Sequence, residues 1–252
     1  VSDFIKQNTK CKVGTYDETN ACGPSKEDKN ELENFSLGTP SKQPSTKDPS
    51  RLLKVDLPDI PSSDRISSQV KKLISNEPIL QKFTLDVKSS DLREKLSKSE
   101  SQTAYAIHDG SSITLNKLYF GNEKAFREIL NKQEQSGWHP KGCNTPESIV
   151  THEVGHFLME GMEHKADERL DQINNIIAEA ARTGELAKIS RYADTAFKRG
   201  DIAEAQAEIY ASIYHTPENE QNDVVKEVAE VLKNTPKTSN DEWLSKIGSM
   251  PK

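Results

Sequence analysis

Five consecutive residues, His152-Glu153-Val154-Gly155-His156, constrain this 252-residue chain more than anything else in it. Two histidines four apart on a helix point the same way, so their imidazoles converge and can share one metal ion. The flanking residues supply the helix. Thr145 is a suitable N-cap, and Pro146 fits the first helical position, where a missing N–H costs nothing. TPESIVTHEVGHFLME is therefore read as an amphipathic helix that stops at Gly161, a residue suited to the left-handed position after a last turn. Gly155 lies inside that helix, where it costs about 1 kcal/mol relative to Ala unless another backbone comes close.

The chemistry expected of this pattern is hydrolytic. Zn²⁺ in a catalytic site takes three protein ligands and leaves the fourth position to water, whose pKa falls to about 7. Glu153, at the edge of the same helix face, can take that water's proton. His152 and His156 supply two ligands, and a third must come from elsewhere. The metzincin pattern needs Gly three residues and His six residues beyond the second histidine, where this chain has Met159 and Met162, so that arrangement is excluded. His164 reads better as an exposed loop histidine. A carboxylate from a later helix remains. Glu204 and Glu208 lie four apart on one face of the segment GDIAEAQAEIYASIYHTPEN, so one can bind the metal while the other supports a ligand from behind. Asp201 is a suitable N-cap for that helix, which gives Glu204 a competing structural role in its first turn.

The rest of the chain divides in two. Residues 1–65 are rich in Ser, Pro, Lys, Asp and Asn, as in LGTPSKQPSTKDPSR, with few apolar positions recurring at any period. Such a stretch buries too little apolar surface to offset the entropy of ordering it, so an extended or disordered arm is expected. This arm accounts for an apolar fraction of only 33 %, low for a globular chain. Residues 66–252 carry the patterned segments and are expected to form one domain. ISSQVKKLI has apolar residues at 66, 70, 73 and 74, a helical face, and AYAIHDGSSITLN reads as two strands joined by an Asp-Gly turn. NEKAFREILNKQEQ is a helix with Phe126, Ile129 and Leu130 inward. HKADERLDQINNIIAEAART places Leu170, Ile173, Ile176 or Ile177 and Ala180 on one stripe, and Ala203, Ala207 and Ala211 form a small-residue row on the Glu204 helix. PENEQNDVVKEVAEVLKN and a short DEWLSKI segment close the series. The expected fold class is α+β, mainly helical, with a small antiparallel sheet.

A net charge of −6 argues against a nucleic-acid partner, which would call for a basic stripe. No run of 18 or more apolar residues exists, so no membrane span is expected. Cys11 and Cys22 bracket a short stretch and can close a local loop in an oxidising compartment, leaving Cys143 free; three unpaired thiols are the equal alternative.

HEVGH, followed after a helical spacer by ISRY, EAQAEIYASIYHTPEN and NTPKT, resembles the catalytic domain of the gluzincin family that includes anthrax lethal factor. In that family a Tyr precedes an E-x-x-A-E helix whose first Glu binds zinc. By position, the resemblance implies His152, His156 and Glu204 as Zn²⁺ ligands and Glu153 as general base. It implies Tyr192 as the phenol that stabilises the oxyanion, with Tyr210 and Tyr214 as alternatives, and Glu208 as the supporting carboxylate. The segment LNKLYF … SGWHPKGCNTPESIVTHEVGH is also similar to zincin-like domains fused to minor capsid or head-morphogenesis proteins of bacteriophages. Within it, His139 is read as packing the loop, with steadying of the active-site rim as the alternative, and Trp138 as a core anchor. The two resemblances imply a zinc-dependent endopeptidase that hydrolyses peptide bonds through a zinc-bound water activated by Glu153. Its protein or peptide substrate would lie as an extended strand along SSITLN. The alternative is a virion or surface structural protein whose zincin-like domain binds zinc without proteolysis. Both imply a secreted or virion-associated setting, with a phage particle or host protein as partner.

Overall fold

The helix that carries HEVGH forms, but it is longer and more deeply buried than its sequence suggests. A computed structural model describes residues 53–94, 96 and 104–234. Strand β1 (Leu53–Asp56) leads into helix α1 (Ser63–Asn76), strand β2 (Leu85–Ser90) and the hairpin of β3 (Ala106–Asp109) and β4 (Ser112–Asn116). Helices α2 (Lys117–Phe120), α3 (Glu123–Gln135), α4 (Pro146–His164), α5 (Glu168–Thr183), α6 (Glu185–Ile189), α7 (Arg191–Lys198), α8 (Ile202–His215) and α9 (Asp223–Lys233) follow. The architecture is mainly helical with one four-stranded sheet, in keeping with an α+β class. Among the described residues, no helix is long and apolar enough to cross a membrane.

The sheet is mixed, which corrects the expectation of an antiparallel one. Its order is β1-β2-β4-β3, with β1 parallel to β2, β2 parallel to β4, and only β3 antiparallel to β4. The β3–β4 turn falls at Gly110, whose φ of 54° suits a tight hairpin. β4 reads in sequence like a half-exposed strand, yet Ile113, Thr114, Leu115 and Asn116 are all buried, as they must be in a central strand covered on both faces. β1 also moves the domain boundary. Val55 pairs with Val87, and α1 begins at Ser63, so the folded part reaches back into the stretch read as an arm ending at residue 65. Residues 1–52, with Cys11 and Cys22, and the DEWLSKI segment lie outside the described residues.

The helical pattern positions the core. In α1 the buried residues are Ile66, Val70, Leu73 and Ile74, and in α5 they include Ile173, Ile177 and Ala180. In α3 Phe126 and Leu130 are buried, but Ile129, expected inward, is 36 % exposed. α4 is the centre of the molecule. It is buried on every side from Ser148 to Met159, the signature of a core helix rather than an amphipathic one, and it packs between α1, β3 and α8. Its start forms a capping box, in which Thr145 Oγ1 accepts from the Ser148 N–H at 3.1 Å and Ser148 Oγ accepts from the Thr145 N–H at 3.2 Å. The helix does not stop at Gly161. That glycine is interior and makes room for the Phe83 ring, which a Cβ would meet at 3.0 Å, and the helix continues to His164.

Gly155 answers its own energetic cost by close approach. A Cβ there would sit 3.1 Å from Ala207 Cα and 3.2 Å from Tyr210 Cβ, both on α8. Gly155→Ala gains about 1 kcal/mol of helix propensity but presses on backbone that cannot move aside. A net loss of about 1 to 2 kcal/mol in urea unfolding is expected, larger for Gly155→Val. An Ala variant as stable as the wild type would show that the two helices separate without cost.

Candidate metal centre

The α4–α8 contact brings three donor atoms to one point. His152 Nε2 lies 3.1 Å from His156 Nε2 and 3.1 Å from Glu204 Oε2, and His156 Nε2 lies 3.6 Å from the same oxygen. These are the edges of a ligand face: three donors about 2.05 Å from a tetrahedral ion stand roughly 3.3 Å apart. All three side chains are buried, and together they could hold a metal ion. Two imidazole nitrogens and a carboxylate oxygen converging on one point offer lone pairs that a single cation can share.

The local fields are those of a cation site. Burial alone would push the His152 pKa down, but Glu204 and Glu208 outweigh it and hold it at about 10. Burial would raise the Glu204 carboxyl, but His156 and His152 hold it well below the usual carboxylate range. Glu204 is engaged through its backbone as well as its side chain. Its backbone N–H is capped by Asp201 Oδ1 at 3.4 Å, which leaves the carboxylate free to face the histidines.

Glu153 is fully buried, and neither of its carboxylate oxygens has a hydrogen-bond partner among the described residues. Burial pushes its pKa up to about 7, against the opposing pull of His156 and His152. An orphaned carboxylate beside the donor triangle is the atom set that the hydrolytic reading requires of this residue.

Of the three candidate tyrosines, the structure brings Tyr192 to the centre. It lies in the first turn of α7, and its hydroxyl bonds to Glu204, while burial keeps the phenol well above its ordinary pKa and therefore protonated. Its ring centroid is 6.5 Å from that of His152. Tyr214 turns away to donate to Glu77 Oε1 at 3.1 Å, and the Tyr210 ring packs tilted against that of Tyr214, with centroids 5.1 Å apart. Glu208, one turn beyond Glu204, places Oε1 2.9 Å from His152 Nδ1, in a bent contact. Burial would raise the Glu208 pKa; His139 and His152 hold it at about 2.

Several side chains behave differently from their sequence reading. His139 does not simply pack its loop, since its Nδ1 lies 3.2 Å from Glu208 Oε1. Trp138 is half-buried against Tyr192, with centroids 5.4 Å apart, rather than a core anchor. Two agree with it: His164 is exposed, although it closes α4 rather than lying in a loop, and Cys143 is a free thiol, here buried. β4, expected to edge the cleft, is interior; β3 holds the outer position against α4. β3 contributes a residue that sequence reasoning missed. His108 stacks on His156 with centroids 6.1 Å apart and 20° between planes, and its Nε2–H donates to Gly110 O at 2.8 Å. The signal was the strand alternation that turns Ala106 and His108 to the same buried face.

His108 and His215 are held neutral by burial, each at about 4, against about 6.5 when unfolded. The unfolded chain therefore takes up their protons first. Their contribution is complete above pH 6.5 and is lost as pH falls toward 4, on the order of 1 to 2 kcal/mol each between pH 7 and 5. Urea unfolding of metal-free protein should thus decline less over that range in His215→Asn than in wild type. Equal slopes would contradict the buried neutral state.

No family model, curated protein or solved structure matches the chain.

Proposed function

We propose that the chain is a zinc-dependent endopeptidase. The observation that carries this reading is the pairing of the donor triangle of His152, His156 and Glu204 with the unpartnered, buried carboxylate of Glu153. Two nitrogens and one oxygen on a buried tetrahedral face suit Zn²⁺ better than the hard cations, which prefer all-oxygen shells. Among the described residues no fourth protein donor closes the cluster, which favours a catalytic over a purely structural ion and so the enzyme over a structural virion component. When bound, zinc supplies a Lewis acid for the scissile carbonyl and lowers the pKa of water in the open position.

The chain's own groups do the rest. Glu153 accepts a proton from the attacking water and returns it to the leaving amine, a role suited to a carboxyl whose pKa stands near neutrality. Tyr192, protonated and beside Glu204, donates its hydroxyl proton to the oxygen that becomes negative as the carbonyl is attacked. Glu208 keeps His152 oriented from behind. The substrate lies as an extended strand along β3, whose outer edge carries no strand among the described residues.

Two measurements on the purified chain test the reading. Cleavage of a mixed peptide library should cease after chelation and return with one equivalent of Zn²⁺. Glu153→Gln should retain the metal while cleavage falls about 10²- to 10⁴-fold. Undiminished cleavage by Glu153→Gln, or no cleavage by the zinc-loaded wild type, would remove the endopeptidase assignment.

A further inference from the structure

We propose that His139 is a positioning residue for the metal centre: it locks Glu208, and through Glu208 the tautomer and orientation of His152. The inference rests on the zinc reading above. Glu208 and His139 are both 2 % exposed, so the contact is closed to water. Both Glu208 oxygens are engaged. Oε1 lies 2.9 Å from His152 Nδ1, a close polar contact bent out of hydrogen-bond geometry, and 3.2 Å from His139 Nδ1, while Oε2 lies 2.8 Å from the Ser190 hydroxyl.

Proton accounting assigns the roles. An ionised carboxylate only accepts, so both Nδ1 atoms that face it carry protons. A neutral His152 with its proton on Nδ1 has its lone pair on Nε2, the atom that points into the donor triangle. His139 fixes which way the carboxylate faces, since its Nδ1 also lies 3.4 Å from Oε2 and bridges the two oxygens. The Nε2 of His139 is buried with no hydrogen-bond partner among the described residues, so within them the ring gains nothing from hydrogen bonding except through Glu208. A histidine placed only for packing would leave a costly buried atom with no return.

The loop that carries His139 is itself fastened to the start of α7. The Arg191 N–H donates to Gly137 O at 2.9 Å and the Tyr192 N–H to Trp138 O at 3.1 Å. Ser190 Oγ stands 2.8 Å from Trp138 O and accepts from the Ala193 N–H at 3.1 Å as the N-cap of α7. One short zipper therefore sets His139 behind His152 and Tyr192 beside Glu204.

The test is zinc affinity of the whole chain, measured by competition with a chromophoric chelator at fixed pH. His139→Ala is expected to bind zinc roughly 10- to 100-fold more weakly. His139→Asn, whose amide N–H stands where Nδ1–H stood, should stay within about threefold of wild type, whereas His139→Gln, with its donor displaced, should not. In a Glu208→Ala background, His139→Ala should change affinity no further, a non-additivity that a general loss of stability does not produce. Unchanged affinity in His139→Ala, or a loss that adds in full to that of Glu208→Ala, overturns the proposal. Should His139→Ala fail to fold, the contrast between Asn and Gln decides, and equal affinities overturn it. A wild type that binds no zinc overturns the endopeptidase reading and this proposal together; a zinc-binding wild type with unaffected variants overturns this proposal alone.

Discussion

Gly155 lets the backbone of α4 come against Ala207 of α8, and the distance between those two helices sets the donor geometry. His152 and His156 ride on one helix and Glu204 on the other, and their atoms meet at 3.1 to 3.6 Å. A helix separation larger by one methyl group would open this triangle beyond the reach of a single small ion. The small-residue row of α8, with Ala207 and Ala211 buried, is thus as much a part of the centre as the ligands. Large side chains elsewhere on the same helices hold the approach, with Val150, Val154 and Leu158 of α4 and Ile209 and Tyr210 of α8 in one core.

Around that contact the remaining elements brace the site. β3 lays His108 over His156. The loop before α4 brings His139 to Glu208, and α7 presents Tyr192 to Glu204. His215, at the end of α8, bonds Thr151 Oγ1 at 2.7 Å, one residue before His152. The charges of His152, Glu204 and Glu208 each have a counterpart within contact distance, whereas the Glu153 carboxylate has no hydrogen-bond partner among the described residues. In the endopeptidase reading that carboxylate is left to meet the attacking water.

The parts legible in the sequence are those decided locally. The Thr145-Pro146 start, the convergence of His152 with His156 and the helical faces of α1 and α5 depend on neighbours a few residues apart. Glu204 and Glu208 were both reachable because the chemistry demands a third ligand and the two carboxylates lie four apart on one helix, and only the resemblance singled out Glu204. What failed to show was decided at long range. β1 is four residues in a Ser- and Pro-rich stretch, and only parallel pairing with a strand some thirty residues on makes it a strand. Gly161 carries the signature of a helix stop, and it became a helix interior because the Phe83 ring occupies the space where a side chain would be. His139 stands 69 residues from Glu208, a separation at which no spacing rule operates.

The account stands on one claim, that α4 and α8 together bind one divalent ion through two imidazoles and one carboxylate with a position left open. X-ray absorption at the zinc edge on the zinc-loaded chain tests it most directly. Four nitrogen or oxygen scatterers at about 2.0 to 2.1 Å, with outer-shell features of two imidazoles that fall by about half in His152→Ala, are predicted. Sulfur in the first shell, an all-oxygen octahedron, or a spectrum unchanged by His152→Ala would contradict it.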